Sequence, residues 1–341
     1  MNPTRPEVHA PPPARASHGL LTIVVPCHNE EAVIGAAHAR LVETLPATGM
    51  DFEIIYIDDG SRDGTLLRLQ AIASADPRAT VLELSRNFGQ QAAMSAGLAH
   101  ARGDAVVIID ADLQDPPEVI PEMVGLWRAG VDVAYGRRRS REGETAFKLL
   151  TASLFHRLFA SLMPYPVPVD TGDFKLLDRA VVDTICALPE KRRYLRSLVP
   201  WAGFRHEPVW YDRRPRLAGE TKYSARRLLR LAADAVMISS DAPVRLIWLA
   251  GFALAAIGLA AAATACWPTD RPQQGVSLAA IIAVVACAAA VQTMAVAVVG
   301  EYVVRTYREA QGRPTWVVRR TIHGRAAVGV ADPAAPDSRA A

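Results

Sequence analysis

Three groups of acidic and amide residues each follow a short apolar run, and their types and spacing suggest a shared chemistry. The first is Pro26-Cys27-His28-Asn29-Glu30-Glu31. The second is Asp58-Asp59-Gly60-Ser61-Arg62-Asp63-Gly64-Thr65, and the third Asp110-Ala111-Asp112-Leu113-Gln114-Asp115-Pro116-Pro117. One acid after a strand commonly caps the next helix. Acid pairs in two such places repel each other and cost stability unless a cation or hydrogen-bond donors lie among them. Asp110 and Asp112 can both turn into one cleft once their strand has ended, with Gln114 close behind. Oxygen ligands that leave room for substrate phosphates suit Mg2+ or Mn2+. Simple capping is the competing reading. Neither GxGxxG nor GxxxxGK[ST] occurs, so neither a dinucleotide fingerprint nor a P-loop is supported.

The elements that must position these acids are legible around them. LLTIVV (Leu20 to Val25), FEIIYI (Phe52 to Ile57) and DAVVIID (Asp104 to Asp110) read as buried strands, and TVLELS and VDVAYG (Val131 to Gly136) complete the sheet. Helical stretches lie between them at Glu30 to Leu45, Gly64 to Ala75, Gln90 to Ala101 and Pro117 to Ala129. This alternation predicts an α/β fold with a mainly parallel, doubly wound sheet. In such sheets ligands bind outside the carboxyl ends of the strands, where these acids fall.

The 341 residues carry 38 Lys+Arg against 35 Asp+Glu and are half hydrophobic, with a mean hydropathy of +0.11. That excludes a disordered or disulfide-scaffold chain and suggests a soluble part joined to a membrane part. The net charge of +3 is too small to argue for nucleic acid. Two uncharged runs, 246–267 and 276–300, each exceed the roughly 20 residues needed to span a bilayer core. Arg213 to Arg230 holds seven basic residues and one acid, and Glu301 to Arg325 six basic and two acidic. Positive flanks face the cytoplasm, so a helical hairpin is predicted with both termini and the α/β part inside. The four cysteines show no metal-site spacing and read as reduced thiols. Residues 1–18 read as a disordered arm. Phe147 to Leu162 and Ser224 to Ser240 read as amphipathic helices able to lie in the membrane interface, an ordinary core-facing helix being the alternative for each.

The runs VVPCHNEE, IDDGSRDGT, SRNFGQQAAMSAGLAHARGD and DADLQDPPE resemble the inverting GT-A glycosyltransferases that include dolichol-phosphate mannosyltransferases. DTGDFKLLDR (Asp170 to Arg179), GETKYS (Gly219 to Ser224) and the two-span tail narrow the resemblance to bacterial polyprenyl-phosphate glycosyltransferases, of the bactoprenol glucosyltransferase kind found in O-antigen modification of the cell envelope. The likeness covers about Leu20 to Arg319. It implies a nucleotide-sugar and metal core at 19–145, an acceptor-side region with interfacial helices at 146–245, two transmembrane helices within 246–304 and a basic cytoplasmic tail at 305–341.

The resemblance also implies roles. Pro26, Asn29, Glu30, Asp58, Asp59, Ser61, Arg86, Asn87 and Asp110 would line the nucleotide-sugar pocket. Asp110, Asp112 and Gln114 would hold Mg2+ or Mn2+ against the donor diphosphate. The acceptor would be undecaprenyl phosphate, whose phosphate is already largely ionised near pH 7, so cations matter more than a strong base. Lys222, Tyr223, Arg137, Arg138 and Arg213 are the candidates to hold it. Asp170 and Asp173 are candidate catalytic acids beside Asp112, with Asp173 favoured; a capping or turn role is the alternative. The expected reaction is transfer of glucose from UDP-glucose at the cytoplasmic face of the bacterial inner membrane. Mannosyl or amino-sugar transfer, or an inactive nucleotide-sugar sensor, are the alternatives. Self-association through the second long helix is a further expectation. No QxxRW motif supports a polysaccharide synthase.

Overall fold

Strand β1 (Leu20–Cys27) is buried along nearly its whole length, and its alternating side chains feed two separate cores. Leu21, Ile23 and Val25 pack on one face with Ile34 and Leu41 of α1 (Ile34–Thr44), Leu69 of α2 (Thr65–Ala75) and Met123 and Trp127 of α4 (Ile120–Arg128). Val24 faces the other way, toward Ala93, Met94 and Ala96 of α3 (Gln90–His100). A strand covered on both faces has no polar side to show, which is why it reads as a continuous apolar run. This computed structural model describes residues 15, 18–139, 171–191, 193–212, 247–254, 256 and 278–324.

The sheet has eight strands: β1, β2 (Asp51–Asp58), β3 (Ala79–Leu84), β4 (Ala105–Ile108), β5 (Val133–Arg138), β6 (Thr171–Asp178), β7 (His206–Tyr211) and β8 (Val318–His323). Their order is β7-β5-β6-β4-β1-β2-β3-β8. The β1–β2, β1–β4, β2–β3 and β5–β7 pairs are parallel, while β3–β8, β4–β6 and β5–β6 are antiparallel. The expected α/β fold is present, with a mixed sheet. From β1 the chain winds outward through β2 and β3, then crosses by α3 to β4 on the opposite flank of β1. This reversal opens a crevice at the carboxyl ends of β1 and β4.

Three of these strands, β6, β7 and β8, lie outside the runs read as sheet. β6 pairs with both β4 and β5 and passes directly into α5 (Arg179–Ala187), whose N-cap Asp178 accepts from the Ala180 amide at 2.9 Å. β8 comes from the segment read as a basic tail. Arg319 and Arg320 there meet the buried carboxylate of Glu83 on β3. Arg15, from the segment read as a disordered arm, is anchored on Asp178 at 3.1 Å.

The chain divides into two units, one of Met1–Ala146, Val167–Thr221 and Pro314–Ala341, the other of Phe147–Pro166 and Lys222–Arg313. The sheet belongs to the first. The first also holds α6 (Leu195–Trp201); in the second, residues 247–254 are helical, with Trp248 and Phe252 stacked at 5.9 Å, and α7 runs from Leu278 to Ala310. The predicted second span therefore continues past Gly300. Within α7, Cys287–Ala310 is the one described helix long and apolar enough to cross a membrane. Its Glu301 and Arg305 pair one turn apart at 2.8 Å, lowering the cost of two charges on an apolar helix. Both predicted amphipathic stretches, and most of the first predicted span, lie outside the described residues.

Candidate active site

Three loops, after β1, β2 and β3, interlock at the crevice. Asn29 adopts a left-handed conformation (φ 57°), which lets its backbone amide donate to Ser61 Oγ at 3.1 Å while its side-chain oxygen accepts from the Arg62 amide at 2.8 Å. The Glu30 amide donates to Thr65 Oγ1 at 2.8 Å, and Glu31 accepts from the Gly64 amide at 2.9 Å. Gly60 is also left-handed (φ 62°), and a Cβ there would stand 2.5 Å from the Asn87 backbone nitrogen. Only glycine permits that approach.

Asp58 and Asp59 are adjacent but differ in use. Both oxygens of Asp59 accept backbone amides, from Phe88 at 2.7 Å and Gly89 at 2.9 Å, so Asp59 fixes the Ser85–Gly89 turn. Asn87 adds a bond to the Asp59 carbonyl at 3.1 Å, and the Arg86 guanidinium lies over Phe88 at 3.9 Å. Asp58 is 2% exposed, and its Oδ1 is buried with no hydrogen-bond partner. Burial pushes its carboxyl above the usual range, with bonds from Ser61 opposing the shift. A buried carboxylate oxygen left unpaired is costly, and a donor N–H or O–H of a ligand would relieve it.

The loop after β4 carries the acids. Asp110 Oδ1 accepts from Gln90 Nε2 at 2.9 Å, Leu113 is left-handed (φ 57°), and Asp112 accepts from the Gln114 amide at 3.1 Å. Burial, followed by the charges of Asp173, Asp115 and Asp112, pushes Asp110 up to about 7. Two β6 residues face the same region. Asp173, 3% exposed, accepts from Arg196 Nε at 2.9 Å and Nη2 at 2.8 Å, and this pairing holds its carboxyl below the usual range despite burial. Lys175, 5% exposed, lines a small cavity with Val133, Tyr135, Arg196, Val199, Pro200 and His206. Burial lowers its ammonium to about 8.

The family description Glycosyl transferase family 2 matches residues 22–186, which include all three loops, the acids after β4 and Asp173. The chain is 39% identical to the uncharacterized glycosyltransferase YkcC of Bacillus subtilis over 307 residues, 89% of this chain and 94% of that protein. The chain belongs to glycosyl transferase family 2. The prophage bactoprenol glucosyl transferase homolog of Escherichia coli is 33% identical to this glycosyltransferase over 301 residues, 88% of this chain and 98% of the relative. Glucosyl-3-phosphoglycerate synthase from Mycobacterium tuberculosis, solved with Mn2+, UDP and glucosyl-3-phosphoglycerate, is 22% identical, with a TM-score of 0.45 over 64% of this chain and 78% of that one.

Pro26, Asn29, Glu30, Asp58, Asp59, Ser61, Arg86 and Asn87 all fall on the loops or strand ends at the crevice. Asp110, Asp112 and Gln114 share one loop. Among the described residues no group of three or more His, Cys, Asp or Glu side chains could hold a metal ion. A cation on this loop would therefore depend on the Gln114 amide, substrate and water for oxygens beyond two carboxylates. The excess negative charge that raises Asp110 fits such a cation. Arg137 and Arg138 part company. Arg138 lies 3.9 Å from Asp115, which also accepts from the Tyr211 hydroxyl, whereas Arg137 stacks over Trp210 at 4.5 Å. Asp170, Arg213, Lys222 and Tyr223 lie outside the described residues.

Four participants are not among the residues given a role from the sequence: Arg196 and Tyr211, which stand in no motif, and Lys175 and Gln90, which stand within DTGDFKLLDR and SRNFGQQAAMSAGLAHARGD. For Lys175 a signal exists, since Asp173 and Lys175 alternate with Phe174 and Leu176 in DTGDFKLLD and so share a strand face. Arg196 gives no comparable sign.

Proposed function

We propose that this glycosyltransferase moves a hexose, glucose from UDP-glucose, onto undecaprenyl phosphate with inversion, at the cytoplasmic face of the bacterial inner membrane, through a two-span hairpin. The carrying observation is the acid loop at the β1–β4 crevice, in a chain aligned with a bactoprenol glucosyl transferase homolog over 88% of its length. Asp58, with its unpartnered oxygen, accepts from the donor nucleoside, and the Ser85–Gly89 turn held by Asp59 brings Arg86 and Asn87 to the same pocket. Asp110, Asp112 and Gln114 would hold Mg2+ or Mn2+. When bound, the cation neutralises charge developing on the leaving nucleoside diphosphate.

The chain's own side chains have the remaining task of bringing two anions together in line. A phosphomonoester oxygen is largely ionised at neutral pH and needs little help from a base. It needs positive charge to overcome repulsion by the diphosphate and to fix the approach. Arg137, Lys222, Tyr223 and Arg213 are the proposed acceptor contacts, with Asp170 nearby in sequence to Asp173. Membranes containing the full chain, given labelled UDP-glucose and undecaprenyl phosphate, are expected to form a chloroform-soluble product that EDTA suppresses. Asp112→Asn is expected to abolish it while the protein stays folded and membrane-bound. A label entering lipid only from GDP-mannose or a UDP-amino sugar would replace glucose. No labelled lipid from any nucleotide sugar would defeat the reading.

A further inference from the structure

The Asp173–Arg196 pair is built unlike a general base and its partner. Asp173 is buried, and both of its oxygens accept from one guanidinium in a bidentate geometry. Gln91 bonds the same carboxylate, and Lys175 faces it from two residues along β6. To take a proton, Asp173 would have to give up a pair of charge-assisted hydrogen bonds and leave Arg196 and the buried Lys175 without their anion. Arg196 is placed differently. Its side chain is 42% exposed although Nε and Nη2 are committed. A guanidinium has five N–H donors in a rigid fork. Two go to Asp173 and Tyr194 is a further neighbour, so donors remain on the open side, their plane fixed by the carboxylate behind.

We propose that Arg196 binds the oxygens of a phosphoryl group in this site, and that Asp173 is a positioning residue that orients Arg196. The single charge of Asp173 faces both Arg196 and Lys175, so this group of three carries one positive charge in excess, which suits an anion. Arg196 also lies within electrostatic reach of Asp110, which places it beside the loop proposed to meet the donor diphosphate. A carboxylate-locked arginine presents its donors with little further loss of side-chain freedom, which favours phosphate over a looser cation such as lysine. Two substrates carry the required chemistry, the diphosphate of the donor and the monophosphate of the lipid acceptor. The inference rests on the transferase reading given above.

The test uses the full chain in membranes and measures kcat and KM separately for UDP-glucose and undecaprenyl phosphate, together with equilibrium binding of UDP. Lipid product from the unsubstituted chain is the precondition, and its absence would count against the transferase reading itself. Arg196→Gln is expected to raise one of the two KM values about 10- to 100-fold, the worth of a charge-assisted hydrogen bond. A raised KM for UDP-glucose with weakened UDP binding assigns the donor diphosphate; a raised KM for the lipid with UDP binding intact assigns the acceptor. Arg196→Lys should recover less than half of the loss. Asp173→Asn is expected to raise the same KM and leave the shape of the kcat–pH profile unchanged. Because Arg196→Gln leaves a buried carboxylate without its bidentate partner, the double variant Asp173→Asn/Arg196→Gln serves as its charge-balanced check and should match Arg196→Gln in KM. The proposal is overturned if Arg196→Gln, or the double variant, leaves both KM values unchanged. It is equally overturned if Asp173→Asn lowers kcat by about 1000-fold or more and removes the acid limb of the profile at unchanged KM, which would make Asp173 the base.

Discussion

Replacing Lys175 by methionine should make the protein more stable and less active. Lys175 is 5% exposed on β6 and lines its cavity with the apolar side chains of Val133, Val199 and Pro200. Burial lowers the ammonium from 10.5 to about 8, even though attraction to Asp173 works in the opposite direction. The charged form therefore costs more in the folded state than the unfolded one. At 1.36 kcal/mol per pH unit, that difference sets a ceiling of about 3 kcal/mol at neutral pH. Methionine keeps the length of the stem and carries no charge. Local relaxation will recover part of the penalty in the parent, so a gain of about 1–2 kcal/mol is expected, which for a domain of this size raises the unfolding midpoint by roughly 2–8 °C. The sign with pH follows from the two midpoints. Below about 8 the lysine is charged in both states and the penalty is complete; it fades as pH rises from there through 10.5, above which the lysine is neutral in both. Thermal unfolding of the full chain in detergent, at pH 7 and at pH 9.5, should show a clear upward shift for Lys175→Met at the lower pH and a smaller one at the higher. Turnover should fall, because Asp173 and Arg196 lose a neighbouring positive charge. A lower midpoint at pH 7, or an equal shift at both pH values, would refute the claim that desolvation dominates at this lysine.

Gly60→Ala should weaken UDP binding at least tenfold in a titration, because its Cβ would meet the Asn87 nitrogen at 2.5 Å and the Arg86 carbonyl carbon at 2.6 Å and force the two loops apart. Gly89→Ala is the comparison: it too has positive φ (96°, with ψ 154°) but would meet nothing within 4 Å, so backbone strain of about 1–3 kcal/mol, read as a lower unfolding midpoint, is expected without a clash between loops. Asp59→Ala removes the acceptor for the Phe88 and Gly89 amides. It should cost about 1–3 kcal/mol in thermal or denaturant unfolding and speed hydrogen exchange at those two amides; unchanged protection would show that the turn does not depend on Asp59.

What the sequence revealed follows from where each residue's partners lie. β1, β2 and β4 announce themselves because central strands buried on both faces must be apolar throughout, and the acids that follow them mark the ends. β6 shows no such run, since Asp173 and Lys175 occupy inward positions that the site uses for charge. β7 begins His206-Glu207-Pro208 and sits at a sheet edge, where proline and polar residues are tolerated. β8 reads as a basic tail because four of its six residues are charged or polar and its pairing, such as Glu83 with Arg320, spans most of the chain. The acid loop of the site was legible for a local reason, the spacing of Asp110, Asp112 and Gln114. Arg196 was not: it reaches Asp173 from α6 (Leu195–Trp201), 23 residues on, and only the folding of α6 against β6 brings them together.

Asp110 and Asp173 show how that fold divides labour between two carboxylates of the same type in one crevice. Burial acts on both in the same direction, raising each. It prevails at Asp110, where the nearest charges are further acids and the direct partner is the neutral amide of Gln90. It is outweighed at Asp173, where Arg196 donates twice and Lys175 adds a second cation. Environments that drive like groups apart mark different roles. Asp110 has negative charge to spare and would gain by meeting a divalent cation, whereas Asp173 has none to offer, its charge being matched by Arg196. A cation and a phosphoryl group can then be held side by side without competing for the same carboxylate. The proposed transfer between two anions would need that separation: a cation held by the acid loop for the leaving diphosphate, and the arginine, locked in place by its own acid, for phosphoryl oxygens that would otherwise be repelled.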